Sequence, residues 1–368
     1  MLTYIIIGIT VIISFLCFNN HNLFMKLAFI PYRTIKCKEW YRIVSHGFVH
    51  ADIMHLVVMR MKLVKMTLCL CLSLMTLCGC RATHDQVLVT CYPLQYLVEQ
   101  IAQDRVSCVL LSENTLIQRA QIRDDYQELL AQSDALLYLG GLESYYEAYA
   151  DEITDSRIEQ VNLVDQLGNF PFLRYGENNE TQPWYAGDAF DDVDMYYSDP
   201  TLWMDAVTMC GMAACIRDYL SERYPAYAQE FADNYDALEI ALSRLDARYQ
   251  QLREKQIRVA VMTPNFGHWQ NYGIQVYPVC LSRYGALPDD EQLSVIIETL
   301  REDGVQYMAI EENLPQDMID LRLQIINELG LTPVPLNNIS SLSDAQQRAG
   351  KNYLTLMQEN LNVLLGLE

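Results

Sequence analysis

Imidazole and carboxylate side chains hold zinc or manganese and thiolates hold softer ions, so the spacing of His, Cys, Asp and Glu decides which metal chemistry is open to a chain. Of six histidines, His21, His46, His50 and His55 precede residue 60, and only His84 and His268 follow it. His268 is either a ligand or a partly buried polar aromatic. Glu311 and Glu312 come directly after an apolar run at 306–310, where they would face a cleft or solvate the next turn. Asp199 and Asp205 flank a Pro and a Trp and suit capping carboxylates. The eleven cysteines include no Cys-x-x-Cys pair, which removes zinc-finger and thioredoxin chemistry. Cys91 and Cys108 lie in or beside short apolar runs, open to a disulfide outside the cytoplasm or to burial as free thiols. Cys210 and Cys215 are five apart on a helical stretch and share its face poorly, which disfavours a thiolate site.

These residues need a frame. Short β-rich runs at 87–91 and 106–111 are separated by helical spacing over 92–104. A further helical stretch at 126–133 leads into an apolar run at 135–139 and a Gly140-Gly141 turn. Residues 226–255 contain no Gly or Pro, and Tyr227, Phe231, Tyr235, Leu238, Leu242, Leu245 and Tyr249 recur at three- and four-residue spacing, predicting one long amphipathic helix. Runs at 257–262, 306–310 and 331–336 then alternate with helical patterns at 290–302, 316–329 and 343–365. Alternation of this kind makes parallel sheets with helices on their faces. The expected architecture is α/β: a lobe over 85–224, a linker helix over 225–256 and a second lobe over 257–368. Residues 168–200, aromatic, acidic and rich in turn formers, are an overhanging loop or a surface insertion.

Charge divides the chain. Residues 1–80 carry 8 Lys and Arg against 2 Asp and Glu, and the remainder carries 18 against 45. So acidic a remainder repels phosphates and argues against nucleic-acid binding. Residues 2–18 are almost wholly apolar and near the ~20 residues that span a bilayer, which predicts a transmembrane helix, with a cleaved signal as the weaker alternative. A second apolar stretch at 66–78 is too short to span; it follows Arg60, Lys62 and Lys65 and ends in Leu77-Cys78-Gly79-Cys80. Basic, apolar and small-residue zones in that order form a signal peptide.

The Leu-x-Gly-Cys ending resembles the lipobox of bacterial lipoproteins, which implies a signal over 59–80, lipidation of Cys80 and membrane attachment through that lipid. A Cys-rich membrane anchor is the alternative. Upstream, Glu39-Trp40-Tyr41-Arg42, then His46 to Asp52, then His55-Leu56 resemble the first loop and second helix of a rhomboid intramembrane protease. Residue 59 is Met where that pattern expects Asn, and no Gly-x-Ser-Gly occurs, so residues 1–58 are expected to be an inactive fragment with one transmembrane helix.

Residues 85–366 carry a third resemblance. Thr90-Cys91-Tyr92-Pro93-Leu94, Ser133-Asp134-Ala135-Leu136-Leu137, Asp199-Pro200-Thr201-Leu202-Trp203-Met204-Asp205 and Thr263-Pro264-Asn265-Phe266-Gly267-His268-Trp269 resemble the zinc and manganese binding lipoproteins of ABC importers. That resemblance implies two α/β lobes joined by a rigid helix, a zinc or manganese ion as cargo, an ABC permease and ATPase as partners, an extracytoplasmic location and no catalysis. The family's ligand positions fall on Gln118, Thr201, Thr263 and Asn337, all neutral here, which would leave a divalent cation's charge uncompensated. His268 and Glu311 are the candidate replacements. The alternative is an accessory lipoprotein that has lost metal binding.

Overall fold

The computed structural model describes residues 2–45, 84–113, 116–168, 170–176 and 179–367. The chain divides into two compact units, Met1–Ala82 and Thr83–Glu368. In the first, helices Leu2–Phe18, His21–Leu27, Pro31–Lys36 and Tyr41–Ser45 are described. Arg42 fastens the short ones together: its buried guanidinium donates to the carbonyls of Met25 at 2.6 Å and Ala28 at 2.9 Å and pairs with Glu39 at 2.5 Å. The expectation of a membrane-crossing helix at residues 2–18 is corrected. That helix has 17 residues, roughly 25 Å at the ordinary rise per residue, and among the described residues no helix is long and apolar enough to cross a membrane. His46, His50, His55, the Cys78-Gly79-Cys80 ending and the rest of the expected signal lie outside the described residues.

The second unit holds two parallel sheets. Strands β1 (Gln86–Val89), β2 (Ser107–Leu110), β3 (Ala135–Tyr138) and β4 (Glu159–Asn162) lie in the order β2-β1-β3-β4, all parallel. A two-stranded antiparallel hairpin, β5 (Tyr175–Gly176) with β6 (Asn179–Pro183), occupies part of the stretch expected to be irregular. Strands β7 (Arg258–Val261), β8 (Gln275–Pro278), β9 (Tyr307–Ala309) and β10 (Thr332–Val334) form the second sheet in the order β10-β9-β7-β8, again parallel. Helices cover the sheets, so central strands are apolar on both faces; Val87, Leu88 and Val89 are fully buried. In each sheet the winding reverses once, between β1 and β3 and between β7 and β9. Side chains just past the carboxyl ends of those strands border the crevice where such folds take ligands.

Helix Ala228–Tyr249 joins the lobes and packs against helices Tyr92–Ala102, Ala206–Arg223 and Tyr353–Leu365. Its buried stripe is Phe231, Tyr235, Leu238, Leu242, Leu245 and Tyr249. It is shorter than its apolar pattern: Pro225 opens a separate 3-10 turn before it, and Gln250–Glu254 tightens into another after it. The helix expected over 343–365 is two helices, Asp344–Arg348 and Tyr353–Leu365. Gly350 at φ +66° ends the first, and Asn352 caps the second by accepting from Thr355 N at 3.0 Å. Cys91 and Cys108 are free; β pairing sets Cys108 opposite Val87, four residues before Cys91.

Leu242 is fully buried at the centre of the joining helix. Leu242→Ala is expected to lower unfolding free energy by about 2–5 kcal/mol, read as a lower urea midpoint at unchanged slope.

Candidate functional site

Past the carboxyl ends of β7 and β9 stand Thr263 and Glu311. The Glu311 carboxylate accepts from Met262 N at 2.6 Å, Thr263 N at 3.1 Å, Thr263 Oγ1 at 2.6 Å and Asn338 Nδ2 at 2.9 Å. Burial raises the pKa of Glu311, and these donors only partly offset it. The exposed Glu312 takes no part. Asn337 does not reach this cluster: its carboxamide oxygen accepts from Ile339 N at 2.7 Å, and its backbone bonds to Asn360. The neighbouring Asn338 is the buried one that points inward. In an extended segment adjacent side chains face opposite ways, so a shift of one residue changes which group serves the site.

On the opposite side, Thr201 and Asp199 follow from the Asp-Pro-Thr turn. Asp199 Oδ1 accepts from Thr201 N at 3.0 Å and Thr201 Oγ1 at 2.5 Å. Its other oxygen holds Arg174, whose Nη2 lies 2.6 Å from Asp199 Oδ2 and donates also to Pro264 O at 3.0 Å. Both side chains are almost wholly buried, 1% and 3% exposed, so the pair is sheltered from screening. Burial pushes the Asp199 acid up, but the Arg174 charge, followed by His268 and the Thr201 donors, outweighs it and holds the carboxyl below its ordinary range. His268 Nε2 lies 3.9 Å from Asp199 Oδ2 and is buried without a hydrogen-bond partner. Arg174 gave no signal in the sequence, since an ion pair formed across 25 residues has no local pattern.

Gln118 bridges the lobes by donating from Nε2 to Asn265 Oδ1 at 2.5 Å. In the same lobe, Glu143 follows β3. Neither Glu143 oxygen has a hydrogen-bond partner, and Thr90 Oγ1, Tyr145 OH and Gln118 Oε1 are likewise buried and unpartnered. Burial raises the Glu143 carboxyl to about 7, with the neighbouring Thr90 hydroxyl a smaller opposing influence.

Of the expected positions, Thr201 and Thr263 line the seam between the lobes, Gln118 spans it and Asn337 turns away. His268 and Glu311 are both at the seam, yet in separate clusters around Asp199 and Thr263. A cleft of about 210 Å³ opens over Phe170, Arg174, Asp199, Gly267, His268 and Gln270. Among the described residues no group of three or more His, Cys, Asp or Glu side chains is placed to hold a metal ion.

Paired parallel sheets, a helical strut and a polar seam at both switch points define a two-lobed α/β fold with a crevice between its lobes. The sequence model of the zinc-uptake complex component A, a periplasmic family, matches residues 87–366, and the chain belongs to that family. It is 23% identical over 303 residues to the zinc-binding lipoprotein AdcA of Streptococcus pneumoniae, covering 80% of this chain and 58% of that protein. The chain thus spans just over half of that curated relative. It is 21% identical to the high-affinity zinc uptake system protein ZnuA of Bacillus subtilis, covering 80% of this chain and 93% of that one. The Zn(II)-bound ZnuA-like domain of the pneumococcal protein superposes with a TM-score of 0.57 at 22% identity, over 76% of this chain and 97% of the domain, a likeness of fold.

Removing the Asp199 charge strands a buried guanidinium, so Asp199→Asn is expected to cost about 3–5 kcal/mol in urea unfolding at neutral pH. Glu143 has the opposite sign. Its folded value lies above the unfolded one, so the stability it contributes is full below about pH 4 and is lost as pH rises through about 7. The melting temperature of Glu143→Gln relative to the parent chain is expected to rise from pH 5 to pH 8.5, and a pH-independent difference would contradict the raised value.

Proposed function

We propose that residues 84–367 form an extracytoplasmic receptor of the zinc-uptake type, which captures a solute at the seam and passes it to the permease and ATPase of an ABC importer without a catalytic step. The observation that carries this reading is the family match over 87–366, joined to a seam where polar groups of both lobes meet at sheet switch points. Lipidation at Cys80 would tether the lobes outside the cell membrane, and residues 1–58 are proposed to be a rhomboid-like piece without protease activity. Within the seam, Gln118, Thr201, Thr263 and Asn338 flank the cargo, with Asn338 in the role first expected of Asn337, and His268 is the one free imidazole.

A second reading, an accessory receptor that has lost metal binding, is favoured by one observation. The Asp199 carboxylate, 3.9 Å from His268 Nε2, is already neutralised by Arg174. A divalent ion would have to displace that guanidinium, so zinc affinity is expected to be at least about tenfold weaker in the parent chain than in Arg174→Ala, a difference of ~1.4 kcal/mol. Calorimetric titration of the full chain with zinc checks this, with His268→Ala as the control for any zinc heat from the histidines and cysteines before residue 81. Heat that His268→Ala removes from the Arg174→Ala chain supports metal cargo. Heat indifferent to both substitutions retires it and leaves the accessory reading.

A further inference from the structure

The guanidinium at the seam sits in a place shaped for it. A Cβ on Gly267 would overlap Nη2, Cζ and Nη1 of Arg174, so any side chain at position 267 would occupy the slot that the planar group fills. The Arg174 Cζ lies 4.3 Å from the centre of the Phe172 ring, and Nη2 reaches the Asp199 carboxylate and the Pro264 carbonyl together. A slot that a Cβ would fill, an aromatic neighbour, a buried carboxylate and a backbone carbonyl are features that favour a guanidinium over a spherical ion or an ammonium. Nη1 donates to the carbonyl of Leu173, next in the chain, while Nε is buried without an acceptor. The slot therefore supplies its contacts chiefly to one edge of the group, and the adjoining cleft of about 210 Å³ leaves a route to it from solvent.

We infer that the seam between the lobes is a guanidinium-recognition site, occupied in this chain by Arg174 and able to take a free alkylguanidinium when that side chain is withdrawn. This goes beyond the receptor reading and stands on the slot's shape whichever cargo the protein carries.

The test uses the full chain carrying Arg174→Ala, with methylguanidinium as the probe and methylammonium at equal concentration as the cation control. Methylguanidinium is expected to raise the melting temperature of this variant saturably at millimolar concentration, to leave the parent chain unmoved and to lose its effect in Arg174→Ala/Gly267→Ala, where the new Cβ fills the slot. Gly267→Ala alone is expected to destabilise the parent chain far more than it destabilises Arg174→Ala. If the alanine variant does not fold, Arg174→Met, which keeps the stem without the charged fork, takes its place in the same comparison. An equal rise with methylammonium, a rise that survives Gly267→Ala, or no rise would overturn the inference. Zinc heats bear only on the cargo, so the two proposals fail separately.

Discussion

A carboxylate taken out of water must find donors or positive charge, or else give up its own charge, and the crevice side of this protein is organised around three that do so differently. Glu311 is held by two backbone amides, a hydroxyl and a carboxamide. Asp199 is held by a hydroxyl, an amide and a guanidinium. Glu143 has only the weak influence of the Thr90 hydroxyl and its own backbone, and burial moves it toward the neutral acid. Glu143 and Glu311 lie beyond strands β3 and β9 and Asp199 lies at the Asp-Pro-Thr turn, and Thr263, Asn338, Thr201 and Arg174 take their places from Glu311 and Asp199. In this chain two of the neutral residues at the expected ligand positions, Thr201 and Thr263, serve as donors that keep buried acids satisfied.

The same arrangement draws the lobes together. Gln118 meets Asn265, Arg119 reaches Gly285 O at 2.6 Å and Asp317 at 2.9 Å, Gln270 donates to Leu173 O, and Trp203 donates from Nε1 to Asn338 O at 2.8 Å. Trp203 and Phe266 are fully buried. Bonds to carbonyls fix geometry without adding charge. The seam is thus closed by neutral contacts and partly exposed ion pairs such as Arg119–Asp317, around the buried Arg174–Asp199 pair.

Much of this frame was legible in the sequence. Helices Asp290–Glu302 and Gln316–Leu329 match the expected ranges because their apolar spacing is regular and their ends are marked, by an Asp289 capping box and by Gly330 at φ +65°. Strands β4 and β8 went unread because their short apolar runs are diluted by Glu159, Gln160 or Gln275. Asp205 was legible as a cap and accepts from Val207 N and Thr208 N. The site was legible only in part. Thr201, Thr263 and Glu311 are reached by motif, whereas the choice between Asn337 and Asn338 depends on alternation along a few extended residues, and Arg174 depends on where a loop returns in space.

The helix between the lobes has a kinetic consequence. Its 22 residues run about 33 Å at ~1.5 Å per residue, and its buried stripe is packed against helices from both ends of the unit, so there is no extended hinge about which one lobe can swing freely. Opening the crevice by rotation would mean bending a packed rod. Access through the cleft edge needs only local release of the segment from Phe170 to Arg174. The residence time of anything held at the seam is then set by how often one short stretch of backbone lets go, as in sub-global opening of a native protein, and the two lobes act as fixed jaws throughout.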